Sequence, residues 1–168
     1  MARPRSFDAD KALDAATALF WERGYDGAGL SDLLDVMGIQ RGSLYKAWGS
    51  KKGLFLACLD RYDETHVAPG IAVLEGQGAA AGLSGADRIE AVFQSHDTRG
   101  CLLCNSAAGI AGTDAEIAAA VTSRLDHLTR AFATALRATG LDADAATVEA
   151  EKLMLQYMGM RVRHRAAP

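Results

Sequence analysis

Two closely spaced glycine breaks, Gly38-Ile39 and Gly49-Ser50, constrain this chain more than any other feature of its sequence. Each interrupts a run in which apolar residues recur every three or four positions, the period of a helix with one buried face. Leu30, Leu33, Leu34 and Met37 precede the first break. Leu44, Tyr45 and Trp48 lie between the two, and Leu54, Phe55, Cys58, Leu59 and Tyr62 follow the second. The spacing predicts short helices over 30–37 and 40–48 and a longer one from Lys51, capped by Ser50.

Upstream, Ala12, Leu13, Ala16, Leu19 and Phe20 place a further helix over 8–23, with Asp8 as its cap and Gly24 as its stop. Two short helices joined by a glycine turn and bracketed by longer ones form a helix-turn-helix. Its second helix needs polar and basic groups outward and apolar groups inward. Arg41, Ser43 and Lys46 meet the first demand, Leu44 and Trp48 the second.

Charge agrees with that placement. The 168-residue chain carries a formal net charge of −3, which excludes a uniformly basic nucleic-acid binder. From Val36 to Leu59, however, no acid occurs, while Arg41, Lys46, Lys51 and Lys52 do, as a phosphate-facing surface requires.

The remainder reads as a second helical body. Pro69 ends or kinks the fourth helix, and the glycine-rich 76–85 segment is a loop. Helices follow over 87–95, 102–110, 114–139 and 142–163, with Asp114 and Asp142 as caps. β-Branched residues are sparse and no run alternates strictly, so the expected fold is all-α. Its division is an N-terminal helix-turn-helix domain over 1–50 and a helical ligand-sensing and dimerisation domain over 51–168. No segment approaches the ~18 apolar residues of a membrane helix. The first residues lack a secretory pattern, and an odd count of three cysteines fits reduced thiols, so a cytoplasmic location is expected.

Gly24-Tyr25, Asp32-Leu33-Leu34, Met37-Gly38-Ile39, Arg41-Gly42-Ser43-Leu44-Tyr45, Trp48, Gly49-Ser50-Lys51 and Leu54-Phe55 together resemble the TetR family of bacterial transcriptional regulators. A weaker similarity links Arg99-Gly100-Cys101-Leu102-Leu103-Cys104-Asn105 to a branch in which a Gly-Cys-Leu-Leu segment precedes the dimerisation helices. That branch includes thiol- and electrophile-responsive repressors. Two departures from the family stand out. Ala28 and Gly29 occupy the start of helix two, and Gln40 the cap of helix three, where hydroxyl residues are usual. Each missing cap costs about 0.5–2 kcal/mol of local stability.

The resemblance implies a homodimer on a palindromic operator in double-stranded DNA, released by a small-molecule effector, with no cofactor, metal or catalysis. It places Arg41, Gly42, Ser43, Tyr45 and Lys46 at the groove. Gly42 admits close approach, Arg41 and Lys46 donate to guanine or phosphate, and Ser43 does either on a smaller scale. Tyr45 offers its phenol to a phosphate. Lys51 sits at a helix N-terminus that already favours an anion. Arg3 and Arg5 are candidates for additional phosphate or minor-groove contacts, whereas Lys52 reads as a solvated charge.

Cys101 is the candidate thiol sensor and Cys104 its resolving partner. Cys101 precedes a predicted helix, with His96 and Arg99 near it in sequence. The alternative is that both are small apolar fillers, as Cys58 is expected to be. Met154, Tyr157, Met158 and Met160 are assigned either to a dimer seam or to the core. Two rival functions stay open: a helical interaction protein with a degenerate head, suggested by Ala28, Gly29 and Gln40, and a thiol-redox enzyme using Cys101 and Cys104.

Overall fold

The computed structural model describes residues 7–94 and 97–166, and all regular structure among them is helical. Arg3, Arg5 and His96 lie outside the described residues. In chain order the helices are α1 (Ala9–Gly27), α2 (Leu30–Met37), α3 (Arg41–Trp48), α4 (Lys51–Tyr62), α5 (Ala68–Leu74), α6 (Gly85–Phe93), α7 (Leu102–Ala107), α8 (Ala115–Arg137) and α9 (Ala143–Ala166).

Local chemistry sets the boundaries. Asp8 accepts from the Lys11 amide at 3.2 Å, Ser50 from the Gly53 amide at 2.9 Å and Asp142 from the Ala145 amide at 2.9 Å, each satisfying an otherwise free donor of a first turn. Asp114 caps α8 in the same way. Gly24 has φ +74° and interrupts α1, although the chain continues for one more turn to Gly27. Asp63–Val67 forms a π-helical turn between α4 and α5, and Pro69 occupies the first turn of α5, where its missing N–H costs nothing.

Three expected boundaries move. The 76–85 loop contains a 3₁₀ turn over Gly78–Gly82. Helix α6 begins two residues early because Ser84 and Asp87 form a reciprocal capping box. Helix α7 stops at Ala107, short of the expected Ile110, and a 3₁₀ turn over Ile110–Gly112 follows.

The core is continuous from head to body. Phe20 of α1 meets Phe55 of α4 edge-on at 4.9 Å, and both contact Tyr25. Trp21 packs edge-on against Tyr62 at 4.9 Å. In the C-terminal body, Phe132 of α8 and Tyr157 of α9 pack at 6.1 Å, with Phe93 against both. Met154 and Tyr157 therefore belong to the core, while Met158 and Met160 are half-buried against it. Cys58 is fully buried, and desolvation pushes its thiol up to about 12. The large apolar residues α9 leaves exposed are Val148, Leu155 and Val162, spaced seven apart on its outer face.

Candidate nucleic-acid interface

Helix α3 is held out from the head by its neighbours. Gly38 closes α2 with φ +62°, a left-handed conformation that glycine adopts without steric cost, and the Ile39 amide reaches back to the Leu34 carbonyl at 3.2 Å. Leu44 anchors the inner face of α3 with no exposed surface. Trp48 closes its far end, its ring 6.1 Å from Phe7. Neither α2 nor α3 receives a side-chain cap, as Gly29 and Gln40 led one to expect.

The opposite edge of α3 faces outward. Arg41, Gly42, Tyr45 and Lys46 are exposed, Tyr45 at 41%, and Ser43 is partly so. The Arg41 guanidinium lies 5.7 Å from the Tyr45 ring, which orients it along the helix. Among the described residues neither Arg41 nor Lys46 forms an ion pair, so no internal acid neutralises them. A Cβ added at Gly42 would meet nothing within 4 Å, leaving that part of the helix surface open to another molecule.

Lys51 stands at the first turn of α4 with its ammonium 4.6 Å from the Tyr25 ring, and partial burial lowers its pKa. Lys52 corrects an expectation. It is no idle surface charge, because its ammonium lies 2.7 Å from Glu116 and 3.4 Å from Asp114 at the start of α8. The pair ties the start of α4 to the start of α8. Gly53, unremarked in the sequence, fixes the angle between α3 and α4: a Cβ there would fall 2.0 Å from the Trp48 carbonyl oxygen. Only the tightness of the Gly49-Ser50 turn hinted at it.

Cys101 and Cys104 lie together at the start of α7, both almost fully buried. Cys101 loses its proton first. Hydrogen bonding with the Cys104 thiol, helped by the Cys104 and Leu103 amides and the Tyr62 hydroxyl, outweighs burial and lowers its pKa to about 6, while the same interaction pushes Cys104 up. Arg99 does not play the part its sequence position suggested. It pairs with Asp97 at 2.7 Å and lies over the Trp21 ring at 3.7 Å. Tyr62, distant in sequence, takes a place beside Cys101 that adjacency alone does not reveal.

The thiol segment is wedged between α1 and α9. Gly100, with φ +76°, passes so close to α9 that a Cβ would fall 2.7 Å from the Arg161 carbonyl oxygen. Arg165 of α9 donates to the Trp21 and Glu22 carbonyls of α1 at 2.9 and 3.0 Å, and approaches the Arg99 carbonyl at 3.4 Å. Residues 99–101 thus lie against the same stretch of α1 that Arg165 holds.

Residues 12–58 match the family described as bacterial regulatory proteins, tetR family. The chain is 36% identical over 126 residues to the HTH-type transcriptional repressor ComR of Escherichia coli, a match spanning 73% of this chain and 60% of that protein. It is 33% identical over 140 residues to the regulator YezE of Bacillus subtilis, spanning 79% of this chain and 70% of the relative. In three dimensions it is similar to a cysteine-substituted CifR solved with 26-base-pair operator DNA, with TM-score 0.82 and 31% identity over 99% of this chain and 92% of that one. It is also similar in fold to the reduced form of NemR from E. coli, with TM-score 0.78 and 21% identity over 94% of this chain and 86% of that one. No described helix is long and apolar enough to cross a membrane. Whole-length similarity at this identity, joined to a matching helix-turn-helix, places the chain in the TetR family of bacterial regulatory proteins.

Proposed function

We propose that this chain is a homodimeric DNA-binding repressor that reads a palindromic operator with α3 and acts in the cytoplasm without catalysis. The observation that supports this most is the outward edge of α3, where Arg41, Gly42, Ser43, Tyr45 and Lys46 surround a buried Leu44 anchor. Lys51 adds a cation at an adjacent helix start, where free amides already favour a phosphate.

Dimerisation uses the outer faces of α8 and α9. Val148, Leu155 and Val162 form a seam at seven-residue spacing, and Leu155 is 71% exposed in the single chain. Two copies joined there present two α3 helices, which must sit about 34–36 Å apart to enter successive major grooves. The releasing signal acts on Cys101. Its thiolate adds to a soft electrophile, or is oxidised by peroxide to a sulfenic acid with release of hydroxide; the Cys104 thiol then attacks the Cys101 sulfur, breaking its S–O bond, and water leaves as the disulfide forms. Either product alters the segment wedged against α1.

Titration of duplex against salt tests the DNA reading. With ~6–10 phosphates contacted, affinity falls ~10³–10⁵-fold between 50 and 200 mM salt. Salt-independent association would contradict it.

A further inference from the structure

Gln40 holds a place in the head that its capping position does not explain. It precedes the first turn of α3 in extended backbone, with φ −81° and ψ 153°, and its side chain makes no cap hydrogen bond. The Ser43 amide, which a capping side chain would engage, bonds to the Gln40 carbonyl at 2.9 Å instead. The carboxamide is thereby left without a local role. It is exposed and makes no hydrogen bond among the described residues.

The side chain also leaves the helical phase. On a continuous helix a residue four before Leu44 would share its buried face, since positions i and i+4 lie one above the other. Extended φ and ψ break that register. Gln40 stays exposed beside Arg41 and Gly42, while Leu44 has no exposed surface. Arg41 draws back from this end, its guanidinium 5.7 Å from the Tyr45 ring one turn further along. The leading end of α3 thus presents an uncommitted carboxamide close to Gly42, where an added Cβ would meet nothing within 4 Å. In a helix-turn-helix this is the end whose side chains reach base edges.

We infer that Gln40 reads one adenine in each half-site, its Oε1 accepting from the base N6–H and its Nε2–H donating to N7. The match follows from groove chemistry. A carboxamide sets one acceptor beside one donor. Among single bases, adenine alone offers the complementary pair in the major groove; guanine presents two acceptors, cytosine a donor, and thymine an acceptor beside a methyl. Arg41, which only donates, cannot make that distinction. The residue whose missing hydroxyl suggested a degenerate head is therefore a reader, and loss of the cap goes with a gain in sequence choice. The inference rests on the regulator reading above and names a specificity residue within it.

The test selects bound duplexes from a random pool with the full chain, Gln40→Glu and Gln40→Ser, then titrates the enriched duplex and its single-base variants by fluorescence anisotropy at fixed salt. The unmodified chain enriches an inverted repeat with one adenine per half, preferred over other bases by about 5–150-fold, the range of one bidentate contact. Glutamate keeps the shape but only accepts, so Gln40→Glu shifts that position to cytosine, whose N4–H is the complementary donor. Gln40→Ser restores a hydroxyl cap, melts at or above the unmodified chain, and loses discrimination at that position alone. Should Gln40→Glu bind no duplex, because its carboxylate meets phosphate, Gln40→Ser decides. An enriched repeat unchanged in both variants, a base other than adenine at the position they alter, or affinity that falls equally for all bases there overturns the assignment and leaves the regulator reading intact. If the unmodified chain enriches no duplex at all, the regulator reading falls, and the role of Gln40 with it.

Discussion

Gly42→Ala separates the stability of α3 from its function. In the free protein an added Cβ at this position meets nothing within 4 Å, and no positive φ opposes it. Alanine removes backbone entropy from the unfolded chain, so stability rises by about 0.4–1 kcal/mol. For a chain of this length that is an increase of about 1–4 °C in Tm. Against DNA the same methyl has the opposite effect, because it occupies the gap through which the helix reaches base edges. Forcing a methyl into a packed contact costs about 1–3 kcal/mol, or about 5–150-fold in affinity. Thermal melting of the free protein and fluorescence anisotropy on one duplex at fixed salt measure the two effects. A more stable variant with unchanged affinity would refute close approach at Gly42. Gly53→Ala supplies the contrast: its Cβ would lie 2.0 Å from the Trp48 backbone oxygen, so stability itself falls, by about 1–3 kcal/mol.

Further outcomes follow from the same geometry. Lys51→Ala weakens binding to all duplexes alike, whereas Arg41→Ala and Lys46→Ala change which sequences are preferred; parallel losses across sequences for all three would remove the base-reading assignment. Alkylation of Cys101 by iodoacetamide, followed by mass spectrometry, titrates with a midpoint near 6 because the thiolate persists above that pH and is lost below it; a midpoint near 9 would show an ordinary thiol. In stability the sign is the same, since a folded-state pKa below the unfolded value contributes above the unfolded value and is lost as pH falls through about 6. Cys101→Ser keeps DNA binding and loses the response to an alkylating reagent. Arg165→Ala removes the bonds from α9 to the Trp21 and Glu22 carbonyls, costs about 1–3 kcal/mol, and leaves duplex affinity insensitive to Cys101 modification; an intact response in this variant would break the proposed route. Leu155→Arg places a charge in the α9 seam and yields monomers by sedimentation; an unchanged dimer would move the interface elsewhere.

Local rules served the head of this molecule well because its signals are local. Leu44 and Gly38 occupy positions dictated by helix period and turn chemistry, and the missing caps at Gly29 and Gln40 are visible in both sequence and structure. What periodicity misses is contact between residues far apart in the chain. Lys52 reads as solvated until α8 brings Asp114 and Glu116 beside it. Trp21 sits next to an apolar stripe that already looked complete, yet it carries the contact from α1 to Tyr62, Arg99 and Arg165. Arg99 seemed placed to activate Cys101 because it is two residues away, but Asp97 and the Trp21 face hold it instead. Helix α6 starts two residues before Asp87 because Ser84, three positions ahead of it, pairs with it in a reciprocal cap that apolar periodicity does not reveal.

Selection of bound duplexes from a random pool tests the account most directly. A dimer presenting two copies of α3 enriches an inverted repeat with half-sites one helical turn apart, and Arg41→Ala or Lys46→Ala shifts the bases enriched within each half. Recovery of sequences with no repeat, or an enriched motif indifferent to both substitutions, would contradict recognition by α3 and favour a helical interaction protein whose head no longer reads DNA.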